Sequence, residues 1–212
     1  MARVLLLNPN TTEAHTATML AAARAAAPPG LEIVGATVGA GVPIIADAAG
    51  FAAAERAVAA FLAGPLDGVD GVVISAFADP GLDAARARLA VPVVGIAEAA
   101  VAATAPAPFA IATTLPDLHP VLRARVAAYG AAERLVAVRA TAGDGDALMR
   151  DLDALTDALE AVVADCIAAG AARVVIGGGP LAAAASRLKT RTAVPVVAPI
   201  PAAVAEIRRR IG

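Results

Sequence analysis

Cysteine, histidine and tryptophan are scarce in this sequence, which limits the chemistry it can carry. The 212 residues include one cysteine, Cys166, two histidines and no tryptophan. A single cysteine excludes an internal disulfide and cannot by itself form a thiolate metal site. The two histidines, His15 and His119, form no HxH or HExxH pattern, so the sequence predicts no metal site.

Aromatic residues, excess charge and long apolar runs are also lacking. The chain has one tyrosine and four phenylalanines, and its 17 Lys and Arg residues nearly balance 19 Asp and Glu residues. Without a basic excess or many aromatic rings to stack on bases, we expect no nucleic-acid partner. No apolar run reaches the roughly 18 residues of a membrane span, and the apolar stretch in MARVLLLNPN is too short for a signal peptide. We therefore expect no membrane partner and a cytoplasmic location.

Short runs of Val, Ile and Leu alternate with Ala-rich amphipathic segments along the whole chain. The sequence is 59% hydrophobic, which is typical of a compact globular protein. Apolar runs closed by turn residues predict strands buried on both faces; they are RVLLLNPN, LEIVGATV, GVVISAF, VPVVGIA, FAIATT, RLVAVRA, RVVIGGG and VPVVAPI. Helices are predicted at TEAHTATMLAAARAAA, FAAAERAVAAFLAG, LDAARARLA, LHPVLRARVAAYG and DLDALTDALEAVVADCIAAG. This alternation predicts an α/β fold with mainly parallel sheets, whose binding sites lie beyond the carboxyl ends of the strands.

An internal repeat divides the chain into two similar halves. VVIS at Val72 recurs as VVIG at Val174, an offset of 102 residues (72 to 174), and VPVV at Val91 recurs at Val194, an offset of 103 (91 to 194). The repeat predicts two pseudo-symmetric lobes, each a mainly parallel sheet flanked by helices, with an active-site cleft between them. We expect one unit of residues 1–212, with lobes at approximately 1–105 and 106–212. No Pro/Gly/Ser-rich linker separates the lobes, so the chain is free to cross between them near its C-terminus.

Several segments together resemble a known enzyme family. LLLNPNTT, GVVISAFADPGL, FAIATTLP, RVVIGGGPLA and VPVVAPIPAAV follow one another with the order and spacing of the hydantoin racemase branch of the aspartate/glutamate racemase superfamily. The resemblance covers nearly the whole chain and implies the two-lobed fold already argued. It also implies a cofactor-independent isomerase that acts on a small hydantoin or amino-acid derivative, and a homo-oligomer.

The resemblance implies a catalytic arrangement that this chain does not have. The family uses two cysteines, one from each lobe, to remove and return a proton on opposite faces of the substrate's α-carbon. By position these cysteines correspond to Ala76 and Gly178, which can neither accept nor donate a proton. Cys166 lies in a helical pattern, where a small buried hydrophobic residue is the simpler interpretation. The two-thiol mechanism is therefore not assigned to this chain.

The resemblance further implies that a polar pocket for the substrate is retained. By position its residues are Asn8, Asn10, Thr11, Ala76, Phe77, Thr113, Thr114, Gly178 and Gly179. Short amide and hydroxyl side chains at strand ends are suited to a carboxylate or ring carbonyl. Two alternatives stay open: the NPNTT residues also suit a helix cap, and GGGP also suits a tight turn between strand and helix. GGGP lacks the spacing of a phosphate loop or dinucleotide fingerprint, and no motif in the sequence indicates a cofactor.

Three residues are candidates for the missing acid–base group: Ser75, Asp79 and His119. Each has a structural alternative, which is a buried hydroxyl for Ser75, a turn or helix cap for Asp79 and a surface position for His119. Asp47 and Glu98 are the other carboxylates near predicted strand ends or loops, and Glu98 also suits the first turn of a helix. His15, four residues after Thr11, is predicted to be an exposed helix residue.

These observations leave three hypotheses about function. The first is a racemase-like isomerase that moves the proton with groups other than thiols. The second is a diverged hydrolase or lyase that acts on a cyclic ureide or small carboxylate in the same cleft. The third is a non-catalytic protein that binds such a metabolite.

Overall fold

The computed structural model describes residues 1–143 and 145–212. All eight predicted strands are present: β1 Ala2–Asn8, β2 Leu31–Thr37, β3 Gly71–Ile74, β4 Val93–Gly95, β5 Phe109–Thr113, β6 Leu135–Ala140, β7 Arg173–Ile176 and β8 Val196–Val197. The helices of the described residues are α1 Glu13–Ala26, α2 Ala48–Phe61, α3 Leu82–Arg88, α4 Ile96–Ala102, α5 His119–Ala128, α6 Gly145–Leu148, α7 Leu152–Ala168, α8 Ala182–Leu188 and α9 Pro199–Ile211.

The strands form two four-stranded parallel sheets with the same topology. The first sheet has the order β2-β1-β3-β4 and the second has the order β6-β5-β7-β8. In the first sheet Val72 is paired with Val93, and in the second Val174 is paired with Val196. The repeated VVI and VPVV segments are thus neighbouring strands in both sheets. The predicted fold class, two similar α/β lobes with mainly parallel sheets, is confirmed.

Apolar side chains cover both faces of the first sheet, as the continuous runs in its strands predicted. Leu5 and Leu7 of β1 pack on one face with Val58 of α2 and Leu82 of α3. On the other face the alternate residues of β1, Val4 and Leu6, pack in a cluster that includes Met19, Ile200, Val204 and Ile207. Parallel strands that are buried on both faces have no polar side to show in the sequence. Alternation of polar and apolar residues is therefore absent from these strands.

The C-terminal helix α9 returns to the first lobe. It contacts α1, α4 and the first-sheet strands β3 and β4, and Ile207 lies so close to Gly71 that a Cβ there would be 3.0 Å from its Cδ1. VPVVAPI was expected to remain extended, but Pro199 and Ile200 open α9 instead. Proline is tolerated in the first turn of a helix, where its missing N–H has no partner to lose. Helix α8 was also absent from the predicted helices, although a tight turn between strand and helix was one of the two interpretations of GGGP.

Helix caps account for some of the acidic residues. Asp47 precedes α2 and accepts a hydrogen bond from the Gly50 N–H at 2.7 Å, so this carboxylate caps a helix rather than entering the cleft. Asp151 caps α7 in the same way, through the N–H groups of Asp153 and Ala154.

Within the described ranges, no helix combines the length and apolar character that crossing a bilayer requires.

Candidate active site between the lobes

A cavity of about 60 Å³ lies where the carboxyl ends of the two sheets meet. A single water needs roughly 10–15 Å³ by this kind of measure, so the cavity has room for a small molecule. The first lobe contributes Asn10, His15, Ile44, Ile45, Ser75, Ala76 and Phe77. The second lobe contributes Thr114, Leu115, Leu118, Met149, Gly177, Gly178, Gly179, Pro180 and Leu181. We call this space the cleft cavity.

The ends of the repeated strands β3 and β7 lie against one another in this cavity. Ala76 and Phe77 follow β3, and Gly177 to Gly179 follow β7. A Cβ on Gly177 would be 3.1 Å from the Phe77 ring, and one on Gly179 would be 3.1 Å from the Ser75 carbonyl oxygen. The backbones of the two lobes therefore approach closely, and the absence of side chains on these glycines permits it.

Gly178 lies in extended backbone, with a φ of −178°, so its conformation alone does not require glycine. The limited space around it favours glycine instead, because a Cβ at this position would be 2.8 Å from both Cγ and Cδ1 of Leu181. Leu181 is buried in the second-lobe core at 2% exposure. A larger residue at position 178 therefore requires Leu181 to move.

Two residues of the NPNT segment have different roles. Asn8 is fully buried, and its Nδ2 donates to Asn10 Oδ1, to the Thr12 carbonyl and to Thr16 Oγ1. Its Oδ1 accepts from the Asn10 N–H at 3.1 Å. Asn8 thus holds the loop in place and does not line the cavity, whereas Asn10 does. The Nδ2 group of Asn10 has no hydrogen-bond partner among the residues that the structure describes.

The threonines that follow β1 and those at the end of β5 also differ in whether they line the cavity. Thr11 and Thr12 lie outside the cavity lining, and Thr12 is the N-cap of α1, yet its hydroxyl donates to the Pro43 carbonyl instead of capping the helix. Thr113 donates to the Gly177 carbonyl at 2.9 Å and thereby ties β5 to the glycine turn. Thr114 lines the cavity, and its hydroxyl is not bonded to any residue in the described part of the chain.

Of the three candidates for the acid–base group, only Ser75 lines the cavity. Its hydroxyl donates to the Leu7 carbonyl at 2.9 Å, so the proton is already committed to the backbone. His119 begins α5, half-buried and outside the cavity lining. Burial lowers the pKa of His119, and the positive charges of Arg123 and Arg139 lower it further.

Asp79 is also outside the cavity lining, directly behind the residues that form it. Its carboxylate is buried at 1% exposure and accepts hydrogen bonds from the Ala97 and Glu98 N–H groups at the start of α4 and from the Tyr129 hydroxyl. Burial raises the pKa of Asp79 from 3.8 to about 6, against the opposing effect of these three hydrogen bonds. Glu98 bonds to Arg86 and faces away from the cavity. The catalytic roles suggested for Ser75, Asp79 and His119 stay predictions.

His15 was predicted to be an exposed helix residue, but it is half-buried and lines the cleft cavity. The signal available in the sequence was its place in the first turn of α1, directly after the NPNT loop that leads into the cleft.

Cys166 is fully buried in the second-lobe core, where burial raises its pKa to about 11. The structure shows no cluster of three potential metal ligands within residues 1–143 and 145–212.

Residues 4–207 match the profile of a family described as Asp/Glu/Hydantoin racemase. The chain belongs to the Asp/Glu/Hydantoin racemase family. This confirms the resemblance indicated by the NPNT, DPGL and TTLP segments. That Ala76 and Gly178 occupy the cysteine positions of the family stays a prediction.

Individual family members agree with this assignment. The hydantoin racemase of Rhizobium meliloti is 37% identical over 147 residues, which cover 66% of this chain but only 60% of that protein. The hydantoin racemase of Paenarthrobacter aurescens is 30% identical over 209 residues, which cover 95% of this chain and 87% of that protein. The structure of allantoin racemase from Klebsiella pneumoniae superposes with a TM-score of 0.92 and 36% identity, over 99% of this chain and 87% of that one. All three of these relatives are named as racemases.

Proposed function

We propose that this protein is an isomerase that binds a small hydantoin or amino-acid derivative in the cleft cavity and exchanges the proton on its α-carbon. One observation carries the proposal: the ends of the two repeated strands, at Ala76 and Gly178, line the same cavity in a chain of the racemase family. Two lobes that meet around a substrate can reach both faces of one carbon. A small cavity favours a substrate of the size of a single five-membered ring.

Two donors in the cavity suit such a substrate. The Asn10 amide and the Thr114 hydroxyl have no partner within the described residues and both line the cavity. When a proton leaves the carbon next to a carbonyl group, negative charge develops on the carbonyl oxygen as an enolate. Donors already directed at that oxygen stabilise the charge and lower the barrier. We therefore assign Asn10 and Thr114 to substrate binding and to stabilisation of the enolate.

The reaction proceeds without the two thiols in this proposal. Neither Ala76 nor Gly178 has an ionisable group, and Cys166 is buried in the core with a raised pKa. A one-base route satisfies the chemistry, because a planar enolate can be protonated on either face. Racemisation then needs one group that removes the proton and a source that returns it.

The proposal is tested by proton NMR in D₂O with allantoin, 5-methylhydantoin and alanine as separate substrates. Loss of the α-proton signal, faster than in a protein-free sample and with no new product, is the expected result. Appearance of ring-opened or eliminated products would overturn isomerisation and favour the hydrolase or lyase hypothesis.

A second candidate function is binding without catalysis, which is favoured by the lack of ionisable groups at positions 76 and 178. In the same NMR experiment a binder would broaden the ligand signals while the α-proton remained at full intensity. That result would overturn the isomerase proposal, and the Asn10→Ala variant would then test the assigned binding site by loss of broadening.

A further inference from the structure

His15 lies at the junction between the cleft cavity and an open groove on the surface. The groove has a volume of about 530 Å³, and it shares His15, Ile44, Met149 and Pro180 with the lining of the cavity. The imidazole is therefore placed where it can reach a bound molecule on one side and solvent on the other. A group that removes a proton from a substrate and later exchanges it with water needs access of this kind.

Among the described residues that line the cavity, His15 is the only one with an imidazole, the side chain that most often serves as a general base. The remaining polar side chains are the Asn10 amide and the hydroxyls of Ser75 and Thr114. The Ser75 hydroxyl is bonded to the Leu7 carbonyl, and Asp79 is turned away toward α4 and Tyr129. The other lining residues are apolar, glycine or proline.

We infer that His15 is the base that removes the α-proton of the substrate in the cleft cavity, an inference that rests on the proposed function. A ring nitrogen of neutral His15 takes the proton, and the electron pair of the C–H bond moves into the adjacent carbonyl to give an enolate. Water protonates the enolate carbon on either face and leaves hydroxide. The imidazolium then neutralises the hydroxide, so His15 and one water molecule are regenerated and the configuration of the substrate has been inverted or retained.

The test compares His15→Ala with Thr18→Ala in the D₂O exchange experiment with 5-methylhydantoin. Both residues lie on α1 and line the groove, but Thr18 is outside the cavity lining, so it is a matched control. A general base typically contributes 10²–10⁴-fold to a rate, so we expect His15→Ala to lower the exchange rate by roughly 100-fold or more. Thr18→Ala is expected to retain the wild-type rate.

Chemical rescue separates a base from a packing role. Because the groove opens the cavity at position 15, added imidazole can enter the space left in His15→Ala, and we expect it to restore exchange in a concentration-dependent way. Circular dichroism confirms that both variants are folded. Exchange that persists in His15→Ala, or that is lost without any rescue, would overturn the role of His15 while leaving the proposed function in place. Absence of exchange in the wild type would overturn both.

Discussion

The Tyr129 hydroxyl donates a hydrogen bond of 2.7 Å to the Asp79 carboxylate. Asp79 lies in the loop after β3 in the first lobe, and Tyr129 follows α5 in the second, so this bond joins the lobes directly behind the cleft cavity. The loop itself is strained, since Ala78 and Asp79 have φ angles of 93° and 56°, in a region that non-glycine residues seldom adopt. The three hydrogen bonds to the Asp79 carboxylate hold this conformation, and with it the positions of Ala76 and Phe77.

Replacement of Tyr129 by Phe tests the strength of the bond between the lobes. A hydrogen bond to a charged group contributes roughly 1.5–3 kcal/mol, and the buried carboxylate would have no replacement donor. We expect Tyr129→Phe to lower the free energy of unfolding by about 2 kcal/mol in urea at pH 7. Asp83→Asn is the matched control, because it removes the exposed partner of Arg125 in the same region and should cost less than about 1 kcal/mol. Equal losses in the two variants would contradict the importance of the buried bond.

The raised pKa of Asp79 predicts that stability depends on pH with a definite sign. The folded protein holds the proton up to about pH 6, whereas the unfolded chain releases it near 3.8. The contribution of this group is therefore fully present below pH 3.8 and is lost as the pH rises through 6, by about 3 kcal/mol in total. The measurement is the difference in unfolding free energy between the wild type and Asp79→Asn from pH 3 to pH 7. It should fall with rising pH, and a constant difference would show that the carboxylate does not titrate in this range.

The space around Gly178 predicts a steric cost for any side chain. Gly178→Ala places a Cβ 2.8 Å from Leu181, so we expect a loss of roughly 1–3 kcal/mol in unfolding free energy. Gly39→Ala is the control, because a Cβ there meets nothing within 4 Å. The double variant Gly178→Ala/Leu181→Ala should lose less than the two single variants combined, since Leu181→Ala removes the side-chain atoms with which the Cβ of Gly178→Ala clashes. If the losses in unfolding free energy of the two single variants simply add in the double variant, the proposed clash between position 178 and Leu181 is contradicted.

Installing two thiols tests the cysteine positions that the family resemblance implies. In Ala76→Cys/Gly178→Cys we expect proton exchange on 5-methylhydantoin to rise by roughly 100-fold over the wild type, as thiols that remove and return protons would provide. Ala76→Ser/Gly178→Ser has side chains of similar size that do not ionise near neutral pH, and it should not gain activity. A gain in both variants, or in neither when circular dichroism shows both to be folded, would argue that positions 76 and 178 do not face the reacting carbon.

Prediction from the sequence was most successful where the signal is local. The eight strands lie in short apolar runs that are closed by turn residues such as glycine, proline, serine or threonine, and this signal lies within each run and its flanks. The two lobes followed from the spacing of the VVI and VPVV repeats. Helix α9 was not predicted, because the apolar pattern VPVVAPI suggests a strand along its whole length. In the structure the strand ends at Val197, and Pro199 begins the helix that packs on the first lobe.

The candidate site was only partly predictable for a physical reason. Thr113 and Thr114 have the same side chain, as do Asn8 and Asn10, and both pairs lie at or just after the end of a strand. Which of each pair lines the cavity depends on the pleat of the strand and on the hydrogen bonds that its neighbour forms. His15 was interpreted as an exposed helix residue because its place after the NPNT loop does not by itself reveal that the second lobe lies beside it.

The sequence by itself determined the α/β class, the internal repeat, the family resemblance and the absence of thiols at Ala76 and Gly178, because these follow from composition, order and spacing along the chain. Only the tertiary structure decided that His15 enters the cleft cavity and that Asp79 turns from it to Tyr129. Both depend on contacts between residues of different lobes, distant in sequence, which exist only after the two sheets have packed together.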